Sequence, residues 1–170
     1  MTVLRALVIA DTHLGPGQAG RLTDVIAGEL AAADVIVHAG DVTDPSVLDA
    51  LGSYAPVVPV LGNNDRGSSL PERETVELAG CRVAVVHDSG PAAGRTARLR
   101  LWFPDADAVV FGHSHLPWHQ IDVRPHDRHE QHHLNPGSPT QRRRAPERTV
   151  AWLELEAGRV ASVRHVVVVR

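Results

Sequence analysis

The sequence contains no lysine and one cysteine, and none of its 170 residues lie in an apolar run of membrane-spanning length. All 17 basic residues are arginine, a bias that points to coding composition rather than function. The lone Cys81 excludes an internal disulfide and suits a reducing cytosol. A helical membrane span needs roughly 18 consecutive apolar residues, and no segment approaches that. An excess of positive charge is also missing. Seventeen basic residues against 20 acidic ones give a net charge of −3, which argues against a dedicated nucleic-acid binder. With 22% charged and 43% hydrophobic residues, the chain is neither disordered nor collagen-like.

The length suits one domain over residues 1–170, able to bury a core without disulfides or a structural metal. Val3 to Ala10 has the length of a signal core but lacks a cleavage site and runs straight into Asp11, so it reads as a first strand of a protein that stays in the cytoplasm. No internal repeat or composition shift marks a boundary. The stretch from Arg124 to Pro146 is polar and reads as loops or a poorly packed excursion.

The remaining pattern alternates. Strands are expected at Val3–Ala10, Asp34–His38, Val57–Leu61, Thr75–Leu78, Arg82–Val86, Ala108–Phe111 and Trp118–Val123. Pro59 makes Val57–Leu61 an edge strand or a strand end. Helices are expected at Arg21–Ala33, from Asp44-Pro45 through Leu51, and over Ala92–Phe103. Thr149–Leu155 and Val160–Val169 form a terminal hairpin across Ala157-Gly158. The fold class is therefore α/β, with a mixed sheet or two packed sheets.

Five apolar strands end on chemistry: in Asp11-Thr12-His13, Gly40-Asp41, Gly62-Asn63-Asn64-Asp65, His87, and Gly112-His113-Ser114-His115. Each fragment alone is ordinary turn composition. Ligand sites in open α/β sheets lie beyond the carboxyl ends of the strands, so the five ends converge on one place. The donors are imidazoles, carboxylates and a carboxamide, without thiolate, which suits borderline or hard divalent ions rather than a closed structural zinc site. Seven or eight such donors exceed the needs of one ion, and two ions about 3.5–4 Å apart, sharing a carboxylate, use them. Two ions carry +4. Asp11 and Asp41 return −2, and a bridging hydroxide still leaves a positive centre that attracts phosphate esters.

The ordered set Asp11-x-His13, Gly40-Asp41, Gly62-Asn63, His87 and Gly112-His113-x-His115 resembles the signature of the calcineurin-like metallophosphoesterase superfamily, over residue 1 to about 140. The short length and Asn135-Pro136-Gly137-Ser138 resemble its small prokaryotic phosphodiesterase branch. The resemblance implies a four-layer α/β/β/α sandwich of two mixed sheets. It also implies that Asp11, His13 and His115 hold one metal and that Asn63, His87 and His113 hold the other, with Asp41 bridging. The expected cofactors are two divalent ions, manganese first, with Ni, Co, Fe or Zn also suited. Catalysis is expected to rest on Asp41, Asn63, Asn64 and His113, with a hydroxide between the metals attacking a small phosphate ester in line. No membrane or stable nucleic-acid partner is expected, and a homo-oligomer is compatible with the sequence. The alternative is a non-catalytic scaffold on the same fold, resembling a retromer subunit, which loss of ligand histidines would favour. This chain keeps all four. A longer nuclease of the superfamily fits the short, weakly charged chain less well.

Two positions depart from the family pattern. Asn64 stands where many members have histidine, and a carboxamide cannot protonate a leaving alkoxide near neutral pH. Weak action on alkyl monoesters and better action on diesters with good leaving groups follow. Asp88 follows His87 where glycine is usual. Around these positions, His38 reads equally as a support for a ligand or as a buried strand histidine, and Asp65 as a turn cap. Arg142, Arg143 and Arg144 read as a solvated face. His126, His129, His132 and His133, whose spacing fits no standard metal site, read as a polar loop.

Overall fold

The computed structural model describes residues 2–169. Strand β1 (Leu4–Ile9) is followed by helices α1 (Ala19–Val25) and α2 (Ala27–Ala31), strand β2 (Val35–His38), helix α3 (Pro45–Gly52) and strand β3 (Val57–Pro59). Strands β4 (Arg73–Leu78) and β5 (Cys81–Val86) precede helix α4 (Arg95–Trp102). Strands β6 (Ala108–Val110), β7 (Trp118–Val123), β8 (Glu130–Asn135), β9 (Thr149–Glu156) and β10 (Arg159–Val167) complete the described elements. Among the described residues these strands form two five-stranded mixed sheets, ordered β10-β9-β1-β2-β3 and β4-β5-β6-β8-β7. No helix among them is long and apolar enough to cross a membrane.

Alternation along each strand builds the layers. In β1 and the residue after it, Ala6, Val8 and Ala10 face the opposite sheet, where they meet Val83, Val85, Ala108 and Val110. Leu7 and Ile9 point the other way, onto Leu22, Ile26, Leu30, Val47 and Leu51 of the α1–α3 side. On the second sheet, Ala84, Val86, Val109 and Phe111 turn outward and pack on Leu99 of α4. The result is an α/β/β/α sandwich whose inner layer is dominated by alanine and valine and whose outer layers carry the larger side chains.

β1, β2 and β3 run parallel, as do β5 and β6. Parallel strands bring their carboxyl ends to one edge of each sheet, which places the five motif-bearing ends together. β3 is an edge strand that stops at Pro59, as the missing proline N–H requires. Asp44 caps α3, its carboxylate accepting the Ser46 N–H at 3.0 Å, with Pro45 at the first helical position.

Two expectations need correction. The single helix expected over Arg21–Ala33 is two short helices, broken where Ile26 leaves helical geometry at φ −122° and ψ 25°. Gly20 and Gly28 weaken helix formation on either side of that point. The polar stretch 124–146 is not all loop. Glu130–Asn135 forms β8, an interior strand parallel to β6 and antiparallel to β7. Pairing lets Gln131 and the His133 Nε2 be buried there. The Gln131 amide donates to the Phe103 and Ala106 carbonyls at 2.7 and 2.8 Å, and the His133 Nε2 lies 2.8 Å from the Gln131 Oε1.

Candidate metal centre

At the strand ends the chain turns so sharply that Asp11, His13, Asp41, His113 and His115 all adopt positive φ, between 45° and 68°. Left-handed geometry costs a non-glycine residue on the order of 1–3 kcal/mol and persists only where the surroundings enforce it, most often at functional sites. Here those surroundings are a web of backbone bonds. The Asp11 N–H donates to the Gly40 carbonyl at 3.0 Å, the His13 N–H to the Asp41 carbonyl at 3.1 Å, and the Gly112 N–H to the His87 carbonyl at 2.9 Å.

The structure brings together all eight side chains singled out from the sequence. The His13 Nε2 lies 3.2 Å from the His115 Nε2, and the His115 Nε2 lies 3.5 Å from the Asp11 Oδ1. The Asn63 Oδ1 lies 3.0 Å from the His87 Nε2 and 3.0 Å from the His113 Nδ1. Asp41 stands between these two groups, its Oδ2 3.3 Å from the His13 Nε2 and 3.4 Å from the His87 Nε2. Asn64 folds back onto Asp41, donating from its backbone N–H to Oδ1 at 2.8 Å and from its side-chain amide to Oδ2 at 2.7 Å.

Two imidazoles are set in the tautomer that a ligand needs. The His87 Nδ1 donates to the Ala39 carbonyl at 2.8 Å and the His115 Nδ1 to the Gln141 carbonyl, so each Nε2 lone pair faces the cluster. Burial pushes the Asp11 carboxyl up to about 7, with the nearby Asp41 charge adding and His87, the His113 N–H and Arg143 opposing. Burial also works against the Asp41 charge, but the His87 imidazole 3.4 Å away and the hydrogen bonds from both Asn64 groups hold Asp41 well below the usual carboxylate range. Burial lowers His115 to about 4 and also lowers His13, which keeps both neutral at pH 7.

The residues present fit divalent cations. The Asp11 Oδ2 is buried with no hydrogen-bond partner, an arrangement that costs free energy unless a cation answers it. Asp11, His13 and His115 offer donor atoms within 4.8 Å of one another, and so do Asp11, Asp41 and His87.

Several supports emerge only in three dimensions. Asp65 does cap its turn, accepting the Gly62 N–H at 2.7 Å. It also accepts the Asp41 N–H at 3.0 Å and the Thr43 N–H at 2.7 Å, and so joins two motif loops. Fully buried His38 lies 3.1 Å from the hydroxyl of Thr12, the residue between Asp11 and His13. In the Asn135–Ser138 turn, side chains do the work. The Asn135 amide donates to the Gly112 carbonyl and the Ser138 hydroxyl to the Asp11 carbonyl, each at 2.8 Å. Arg142, Arg143 and Arg144 are exposed, as expected of a charge run. Asp88, the departure after His87, accepts the Gly90 N–H at 2.7 Å and leaves His87 in the cluster. A cleft of about 250 Å³, lined by Asn63, His87, Asp88, Glu72 and Arg73, opens beside the cluster.

Gly62 shows how tightly the loops are seated. A Cβ there would stand 2.1 Å from the Asp41 backbone nitrogen and 2.2 Å from its Oδ1. Gly62→Ala must displace Asp41. We expect it to lower metal affinity by more than the 10–100-fold typical of losing an outer partner, and to destabilise the fold by about 1–3 kcal/mol. Metal titration and urea unfolding check both, and wild-type affinity in the variant would refute the packing account.

Comparisons with known proteins now bear on this geometry. The sequence profile of the calcineurin-like phosphoesterase superfamily domain matches residues 4–158. A probable metallophosphoesterase of Methanocaldococcus jannaschii is 38% identical over 152 residues, which cover 88% of this chain and 74% of that protein. Among solved structures, Entamoeba histolytica Vps29 complexed with Zn²⁺ aligns over 96% of this chain and 97% of its own, with a TM-score of 0.69 at 20% identity. A structure described as a novel archaeal phosphodiesterase aligns over 96% and 99%, with a TM-score of 0.68 at 16% identity. At such identities these two structures speak to the fold.

Proposed function

The chain belongs to the calcineurin-like phosphoesterase superfamily, and from that premise we propose that it is a dinuclear metal-dependent phosphodiesterase, one domain over residues 1–170, acting in the cytoplasm on small diesters with good leaving groups. The observation that carries this reading is the placement of Asp41 between two donor groups, one of Asp11, His13 and His115 and the other of Asn63, His87 and His113. Each group would hold one ion, with the Asp41 carboxylate shared. Nitrogen and oxygen donors without thiolate suit manganese, and also iron, cobalt, nickel or zinc. Two such ions supply Lewis acidity and bring the pKa of a water near neutrality.

The protein's own groups prepare that chemistry. The Ala39 and Gln141 carbonyls keep the His87 and His115 protons on Nδ1, away from the reacting centre. Asp11 and Asp41 contribute −2 against +4, so the loaded site is positive and favours an anionic ester. The cleft beside Asn63 and His87 gives that ester room, with Arg73 on its wall. At position 64 the amide is engaged by Asp41 and has no titratable proton to give a leaving group. Diesters whose leaving groups depart unaided therefore suit the site best. The free, buried Cys81 accords with a reducing compartment.

The rival reading is a scaffold of the same fold, since Vps29 structures are among its neighbours. Retention of His13, His87, His113 and His115 in one cluster favours the enzyme. Metal binding alone does not separate the two, because a Vps29 is itself described with Zn²⁺. Turnover does. Chelator-treated protein should hydrolyse bis(p-nitrophenyl) phosphate once Mn²⁺, Ni²⁺, Co²⁺ or Zn²⁺ is restored, and should act far more weakly on glycerol phosphate. Protein that takes up metal yet turns over neither ester with any ion, Mg²⁺ included, would be the scaffold.

A further inference from the structure

The histidines of the 124–146 stretch do not share one environment, and His132 finds its partner outside it. β7 and β8 run antiparallel, with Ile121 opposite His132 and His119 opposite Leu134. Opposed residues share a face of a ladder, so His119 and His132 are diagonal neighbours on the side that Leu134 gives to the inter-sheet core. The His119 Nε2 lies 3.1 Å from the His132 Nδ1. The rings stack with centroids 5.2 Å apart and planes 19° from parallel. For His13 and His115, in the candidate metal centre, the same measures are 3.2 Å, 5.1 Å and 22°. A third imidazole stands near. His165 of β10, opposite Ala151 of β9, reaches across the sandwich and donates from Nε2 to the carbonyl of Asn135, the last residue of β8, at 2.7 Å.

We propose that His119 and His132 form a second metal site, separate from the candidate centre, that takes a nitrogen-preferring divalent ion such as zinc, nickel or copper through the His119 Nε2 and the His132 Nδ1. Two bonds of about 2.0–2.1 Å at a tetrahedral angle set their nitrogens about 3.3 Å apart, close to the spacing already present. Burial lowers the pKa of both rings, and for His119 the neighbouring His132 and His165 add to it. Both are thus held neutral, the form that ligates. Of the nearby carboxylates, Asp107 is engaged by His129 at 3.1 Å and Asp122 by Arg100 at 2.8 Å, while Glu130, two residues before His132 on β8, is exposed. Two imidazole donors select zinc, nickel or copper over manganese or magnesium, which prefer oxygen. That selectivity separates it from the mixed donors around Asp41.

A plain N–H···N bond between neutral rings also gives 3.1 Å, and the test must tell the two apart. Chelator-treated full-length protein is titrated in parallel with Zn²⁺ and Mn²⁺, and bound ion is counted. His119→Gln, a change at a half-buried edge-strand position, is titrated alongside. The proposal expects one more equivalent of zinc than of manganese in the wild type and loss of that equivalent in His119→Gln. It also expects the ¹⁵N resonances of the His119 and His132 rings to shift with zinc. Hydrolysis of bis(p-nitrophenyl) phosphate in manganese should be unchanged by the substitution. Equal zinc and manganese stoichiometry overturns the site, as does an extra zinc that survives His119→Gln. Each result stands whether or not the cluster around Asp41 proves catalytic.

Discussion

Replacing Asp41 by alanine is expected to abolish hydrolysis of bis(p-nitrophenyl) phosphate and to empty the cluster of metal. The residue serves both donor groups at once, its Oδ2 within 3.4 Å of an Nε2 in each. Its loss halves the anionic charge of the ligand set, from −2 to −1 with Asp11 counted as ionised. It also leaves the Asn64 backbone N–H, which donates to Oδ1 at 2.8 Å, without its acceptor. Removing an outer support of a metal site typically costs 10–100-fold, and loss of a shared ligand should exceed about 10²-fold in both metal affinity and kcat/KM. Metal analysis of the purified variant and a diester assay read the two effects separately. Undiminished turnover in Asp41→Ala would refute the shared-ligand role.

The second large effect is a gain. Asn64→His should raise kcat/KM for alkyl phosphomonoesters, leaving diesters with good leaving groups within a few-fold of wild type. An acid that protonates the departing alkoxide is typically worth 10²–10⁴-fold. We expect the lower end, about 10²-fold, because the Asn64 side chain is bound to Asp41 at 2.7 Å and a histidine there must swing free of it. The gain should fall as pH rises through the imidazole range, near 6.5 for an unperturbed histidine, since only the protonated ring is an acid. The informative quantity is the ratio of monoester to diester kcat/KM at equal metal content. A ratio unmoved in a variant that still binds metal would show that position 64 does not face the leaving group.

Much of this site is legible in the sequence because its physics is local. A buried strand must end, and the residues just past its end are the ones free to carry polar side chains. Asp11, Asp41, Asn63, His87 and His113 each follow an apolar run at such a point. The layers are legible for the same reason, since Leu7 and Ile9 alternate with Ala6, Val8 and Ala10 as a strand buried on both faces requires. What escapes depends on partners distant in the chain. β8 looks like a loop because Gln131, His132 and His133 are polar, and only the carbonyls of Phe103 and Ala106 explain why Gln131 is tolerated inside. Asp65 looks like a turn cap because its bond to Gly62 is local. Its hold on the Asp41 N–H spans 24 residues and has no signal in spacing. His119 attracts no notice in the sequence at all, and becomes conspicuous only once strand pairing sets it beside His132.

The two donor groups share one more property: neither belongs to one sheet. Asp11 and His13 follow β1 and Asn63 follows β3, all in the first sheet, whereas His87 follows β5 and His113 and His115 follow β6, in the second. Ions seated there would rivet the two halves of the sandwich along their upper seam. The thin filling of Ala6, Val8, Ala108 and Val110 then acts as a shim that sets the gap the rivets must bridge. A bulkier side chain deep in that filling, touching no ligand, would pry the seam open and retune the grip on metal from a distance.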